Sequence, residues 1–159
     1  MQIDPAEFRR ILGRWATGVA VVASTRPDGA PCGMTANAFT SVSLDPPLVL
    51  ICIQRSARAH DCIAAAGFFS VNVLGAEQER IARRFAAWDV ADKFAGIAYR
   101  SETTGAPVLE DALAWIDCRV WASYAGGDHT IFVGQVVDGD ARDGAPLLYF
   151  RGGYARAAT

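Results

Sequence analysis

The chain has 159 residues, 52% of them hydrophobic and 20% charged, with a formal net charge of −2. That balance fits one folded domain over 1–159: large enough for its own core, too apolar for disorder, and without the basic surplus of a nucleic-acid binder. The apolar runs fall far short of the ~20 residues that span a bilayer, and MQIDPAEFRR lacks the charged-then-apolar order of a signal peptide, so a cytoplasmic location is expected.

Asp4, Pro5 and Glu7 predict a helix start, with Asp4 as cap. Phe8, Ile11, Leu12 and Trp15 then share one helical face, and Gly13 or Gly18 ends it. Residues 19–24 read as a β-branched strand. Arg26-Pro27-Asp28-Gly29 signals a turn, and residues 30–39 read as the returning strand. Asp45-Pro46-Pro47 starts a fresh strand over 48–53. Ser56 is placed to cap a helix to Ala66, which Gly67 stops before a strand over 68–74. Residues 77–87 are helical, 90–95 a loop or short helix, and 100–104 a possible strand. Residues 114–124 and 129–138 form a hairpin around the turn at 125–128. A turn over 139–144 leads to a last strand over 146–150. Six or seven strands that do not alternate with helices disfavour a parallel sheet and favour an antiparallel barrel with peripheral helices.

Residues 33–48 (GMTANAFTSVSLDPPL) stand out within this order. Thr35, Asn37, Thr40, Ser41 and Ser43 supply neutral hydroxyls and an amide, with no carboxylate before Asp45. Buried groups of this kind cost about 1–3 kcal/mol each when unpartnered. Taken alone, the residues leave two readings open: a bed for a flat neutral ring with polar edges, or an ordinary strand–turn–strand. Nucleotide cradles of the G-x-G-x-x-G and G-x-x-x-x-G-K-[ST] kinds are absent, as is G-x-S-x-G. Cys32, Cys52, Cys62 and Cys118 have no metal-ligand spacing and are expected to be reduced. Trp15, Trp88, Trp115 and Trp121 read as core or interface residues.

The segment from Gly33 resembles the signature of the flavin reductase-like family, which includes the reductase components of 4-hydroxyphenylacetate, phenol and styrene monooxygenases. Gln54-Arg55-Ser56-Ala57, residues 69–74 (FSVNVL), Asp92-Lys93-Phe94, residues 127–134 (GDHTIFVG) and Arg151-Gly152-Gly153-Tyr154 extend the resemblance in family order. It implies a mainly β (α+β) fold, the FMN-binding split β-barrel with peripheral helices, in a homodimer. The implied activity is NAD(P)H:flavin oxidoreduction, with FMN or FAD as flavin and NADH or NADPH as donor. Reduced flavin would diffuse to a flavin-dependent monooxygenase. By the same resemblance, Thr35, Ala36, Asn37, Ala38, Ser41, Val42 and Ser43 hold the flavin. Gln54, Arg55, Ser56, Arg58 and Lys93 take its phosphate end, and His129 and Tyr154 meet the nicotinamide. No catalytic acid or base and no metal is expected. Asn72 and Phe85 match family positions but read as structural. A flavoprotein of the same fold that reduces ferric iron or a corrinoid cobalt, or a non-catalytic flavin- or haem-binding module, fits the same residues.

Overall fold

In the computed structural model, which describes residues 2–158, the apolar run at 19–23 serves two cores at once. It leads into strand β2 (Ala20–Thr25): Ala20 and Val22 face one cluster, while Val19, Val21 and Ala23 face the other. A strand covered on both faces needs no polar alternation.

Helix α1 (Pro5–Leu12) starts as expected: the Asp4 carboxylate accepts from the amides of Ala6 at 2.8 Å and Glu7 at 3.3 Å, and Gly13 caps its end. Glu7 binds Arg10 instead of closing a capping box. Strand β1 (Thr17–Gly18) precedes β2, which pairs with β3 (Pro31–Ala36). The single returning strand expected over 30–39 is interrupted: the chain leaves β3 at Ala36 and re-enters the sheet as β4 (Phe39–Leu44). A turn with a cis Asp45–Pro46 peptide joins β4 to β5 (Pro47–Gln54). Helix α2 (Arg58–Ala66), β6 (Phe68–Val73), α3 (Glu79–Ala86), β7 (Tyr99–Ser101) and β8 (Pro107–Leu109) follow. The last strands are β9 (Ala114–Gly126), β10 (His129–Ala141), β11 (Leu147–Phe150) and β12 (Gly153–Arg156).

Seven strands form one antiparallel sheet in the order β3-β2-β6-β9-β10-β5-β4. Its two edges, β3 and β4, are joined only by Asn37 and Ala38, so the sheet curls until its edges meet at that link. Val22, Val49, Ile51, Ile53, Phe69 and Phe132 fill the inside of the curl. Outside it, α3 lays Ala82 and Phe85 against Val21, Leu74, Phe94 and Leu147. Asn72 is structural, as expected. Its amide donates to the carbonyls of Val21 and Pro107 and accepts the Leu109 amide at 2.8 Å, stitching β8 to the sheet.

Three expectations are corrected. The turn placed at 139–144 begins later, because β10 stays paired to Ala141 opposite Ala114 and its exposed end tolerates Gly139 and Asp140. Ser56 does not cap α2; the cap position is Ala57, with no side-chain bond. Cys32 and Cys62, expected to be reduced, form a disulfide. Their separation of 30 residues hides the fact that β3 and α2 lie side by side, with Cα atoms 6.7 Å apart, within disulfide reach. Cys52 and Cys118 are free thiols, and burial pushes Cys118 up to about 12. Among the described residues, no helix is long and apolar enough to cross a membrane.

Candidate functional site

The link between the sheet edges is the middle of the segment that stood out in the sequence. Gly33 lets the chain run close under the helical layer: a Cβ there would meet the Val22 carbonyl oxygen at 3.0 Å and the Phe94 ring at 3.2 Å. Two residues on, the Thr35 hydroxyl donates to the Ala82 carbonyl of α3 at 2.6 Å. This bond spends the Thr35 proton on the scaffold and leaves its oxygen free only to accept. Ala36 is buried in the core, while Asn37, Ala38, Ser41 and Val42 are exposed and Ser43 is half-buried. The Ala38 carbonyl accepts from the Cys52 amide at 3.1 Å, anchoring the link to β5.

Strand β5 carries this stripe toward charge. Ser43 stands opposite Leu48, and Gln54 lies six residues further along β5, which makes the stripe ~20 Å long at about 3.3 Å per residue. At its end, Arg55, Ser56 and Arg58 are exposed around the uncapped start of α2. Lys93 enters from the other side, its ammonium donating to the Phe85 carbonyl at 2.8 Å. Burial, and then the nearby Arg58 charge, hold Lys93 below the ordinary lysine range. The exposed Arg58 charge and the part-buried Lys93 repel each other, which favours the neutral amine at Lys93.

Sequence reasoning missed Arg84, which fixes this corner. Its guanidinium donates to the carbonyls of Lys93 at 2.7 Å, Ala95 at 2.9 Å and Asp92 at 3.0 Å. The Asp92 carboxylate accepts the amides of Phe94 and Ala95, both at 3.1 Å. Nothing in the sequence separates Arg84 from Arg80 or Arg83 on the same helix.

His129 opens β10 beside the corner, in register with Gln54. Gly127 (φ 69°) allows the tight turn that precedes it. The Asp128 carboxylate lies 2.7 Å from His129 Nδ1, and this hydrogen bond, followed by the histidine charge, draws the Asp128 pKa down. Tyr154 sits elsewhere, on β12 in a separate sheet with β1 and β11. Its ring meets Tyr149 edge-on at 5.6 Å, and the Arg83 guanidinium lies 4.9 Å from its centre. Burial raises its phenol pKa. The fold therefore gathers residues 37–38, 54–58 and His129 along β4, β5 and β10, leaves Lys93 within reach of the Arg58 charge from beside α3, and carries Tyr154 on another sheet.

Two hollows of about 650 and 560 Å³ share Arg80, Ile81, Gly96 and Ile97. Neither is lined by any residue of the stripe. In a single chain the stripe is an open surface. It adjoins an apolar outer sheet face of Leu48, Leu50, Cys52, Ile131 and Val133, which the strand register places side by side. Tyr124, Trp121, Val42 and Leu44 border that face with exposures of 59%, 56%, 50% and 96%.

The chain matches the flavin reductase like domain over residues 12–158. A flavin reductase of Pseudomonas putida is 45% identical over 159 residues, 99% of this chain and 92% of that protein. The reductase subunit HsaB of a flavin-dependent monooxygenase from Rhodococcus jostii is 42% identical over 153 residues, 96% of this chain and 77% of its own length. Among solved structures, an NADH:FAD oxidoreductase of Streptomyces globisporus, in complex with NAD and FAD fragments, has a TM-score of 0.91 at 40% identity, over 99% of this chain and 97% of that one. The likeness runs the length of the molecule, and this chain belongs to the flavin reductase like domain family.

Proposed function

We propose that this protein is an NAD(P)H:flavin oxidoreductase that reduces FMN or FAD and supplies the reduced flavin to a partner monooxygenase. The observation that carries the reading is the neutral polar stripe ending in the Arg58–Lys93 pair. A neutral ring with polar edges suits the stripe, and a phosphate suits two juxtaposed cations at a helix start. The flavin supplies the hydride-accepting chemistry when it is bound, and the protein's part is to bind and orient. Thr35 offers an acceptor, and Asn37, Ser41 and Ser43 offer hydrogen bonds along the ring and its side chain. Arg55, Ser56, Arg58 and Lys93 balance the phosphate. His129 positions the nicotinamide beside the flavin; Tyr154, packed on Tyr149 in the other sheet, takes no part in this site. The donor reading follows the relatives named for NADH.

We read the curled sheet as the split barrel of FMN-binding proteins, because its edges are joined by only two residues. A second copy of the chain covers the apolar outer face and turns the open stripe into an enclosed site. The cytoplasm, where reduced nicotinamide is made, is the compartment that suits this chemistry.

Steady-state oxidation of NADH and NADPH in the presence of FMN or FAD tests the reading, with Lys93→Ala as the site control. Wild type should turn over with one nicotinamide, and Lys93→Ala should raise the flavin KM about tenfold, the scale of a lost charged hydrogen bond. Unchanged flavin affinity in Lys93→Ala would remove the phosphate assignment.

A further inference from the structure

The chain has two histidines, and the fold brings both to the same corner. His60 lies on α2, two residues after Arg58 opens that helix. Its Nε2 is 2.8 Å from Thr130 Oγ1, and its Nδ1 is 2.9 Å from Asp61 Oδ1. The ring also tilts against Phe132, with centroids 5.6 Å apart. In the tautomer where Asp61 accepts from Nδ1–H, Nε2 accepts from the Thr130 hydroxyl. The His60 side chain is only 16% exposed, so the bond is shielded, whereas Asp61 is 92% exposed and serves to select the tautomer.

Thr130 directly follows His129 on β10, and successive side chains on a strand point to opposite faces. Drawing Thr130 toward α2 therefore turns His129 to the other face. Main-chain bonds already hold the tip, with the Arg55 amide donating to the Asp128 carbonyl at 3.0 Å. The His60–Thr130 bond adds a side-chain lock between the helix that presents Arg58 and the strand that presents His129.

We propose that His60 is a positioning residue, holding the His129 imidazole in fixed relation to the phosphate corner and so coupling the nicotinamide and flavin subsites. The proposal rests on the flavin reductase reading. It concerns how well the nicotinamide docks, so its signature is KM for the reduced nicotinamide with little change in kcat or flavin affinity.

The test is a thermodynamic cycle on the intact protein. His60→Ala and Thr130→Val remove the bond from either side, while His60→Gln and Thr130→Ser can restore it. Each of the first pair should raise the nicotinamide KM about fivefold, with kcat and flavin Kd within about twofold. The double variant should be no worse than either single one, and the second pair should stay near wild type. Additive effects would overturn the proposal, as would His60→Gln behaving like His60→Ala, or a lower melting temperature with unchanged KM. Should His60→Ala fail to fold, Thr130→Val against Thr130→Ser reads the same bond. A wild-type protein that oxidises no NADH or NADPH with flavin would sink the parent reading and this one together; an active wild type with indifferent variants would sink only the role of His60.

Discussion

Lys93 is the residue whose chemistry reports most directly on the ligand. Burial and Arg58 favour its neutral form, so in the empty protein it sheds its proton at lower pH than an ordinary lysine. A phosphate favours the ammonium. On the proposed phosphate assignment, binding favours a protonated Lys93: its contribution to flavin affinity is full below the lowered pKa and is lost as pH rises above it. Lys93→Arg, charged throughout that range, should keep its affinity where wild type loses it. Titration calorimetry across pH reads this directly, and identical profiles for the two proteins would contradict it. Lys93 and Arg58 were both named from the sequence for the phosphate end, but their influence on each other was not legible. Arg58 lies 35 positions away on α2, and only the folded chain brings its charge within reach of Lys93. Thr35 shows a related limit: the resemblance assigned its hydroxyl to the flavin, yet its proton goes to the Ala82 carbonyl of α3.

At the scale of elements, the helices and long strands announce themselves through caps, periodicity and turns. Helix α1, the apolar strands β2, β5 and β6, and the β9–β10 hairpin stand close to where residue patterns place them. The possible strand at 100–104 overlaps β7, but the short strands β8 and β12 were not read, because each pairs over only three or four residues and owes its shape to neighbours rather than to its own pattern. The break at Asn37 is likewise set by topology: β3 pairs with β2, and β4 must cross to β5. Tertiary packing also decides the disulfide between β3 and α2, which ties the strand entering the polar stripe to the helix that opens at Arg58. Thiol titration of the denatured, unreduced chain should find two thiols, Cys52 and Cys118. After reduction it should find all four, with the native protein losing about 3–4 kcal/mol by the loop-entropy estimate. Four thiols before reduction would show the cysteines unpaired.

At the scale of the molecule, the 52% hydrophobic share is compatible with a surface buried against another molecule. Of the helix face read from Phe8, Ile11, Leu12 and Trp15, the first three lie on α1, which ends at Leu12 before Trp15; α1 buries none of them, and Trp15 is 76% exposed. Trp88 and Trp121 are exposed as well, at 87% and 56%, so these tryptophans are not core residues. Exposed apolar surface on this scale marks a contact with another molecule. Light scattering should therefore give twice the 17.0-kDa chain mass. A charge placed on the outer face, as in Leu44→Asp or Tyr124→Arg, should yield a monomer that binds flavin at least about tenfold more weakly. A dissociated variant with wild-type flavin affinity would show that one chain holds the site alone.

Rapid anaerobic mixing of the protein and oxidised FMN or FAD with NADH or NADPH tests the central claim most directly. Reduction should bleach the oxidised-flavin absorbance within seconds for one nicotinamide, and the reduced flavin should pass a size-exclusion membrane free of protein. Bound flavin that neither nicotinamide bleaches would contradict the reductase assignment and leave a flavin-binding module. Bleaching with the reduced flavin retained would contradict its supply to a partner monooxygenase and favour an enzyme that keeps its flavin and reduces another acceptor.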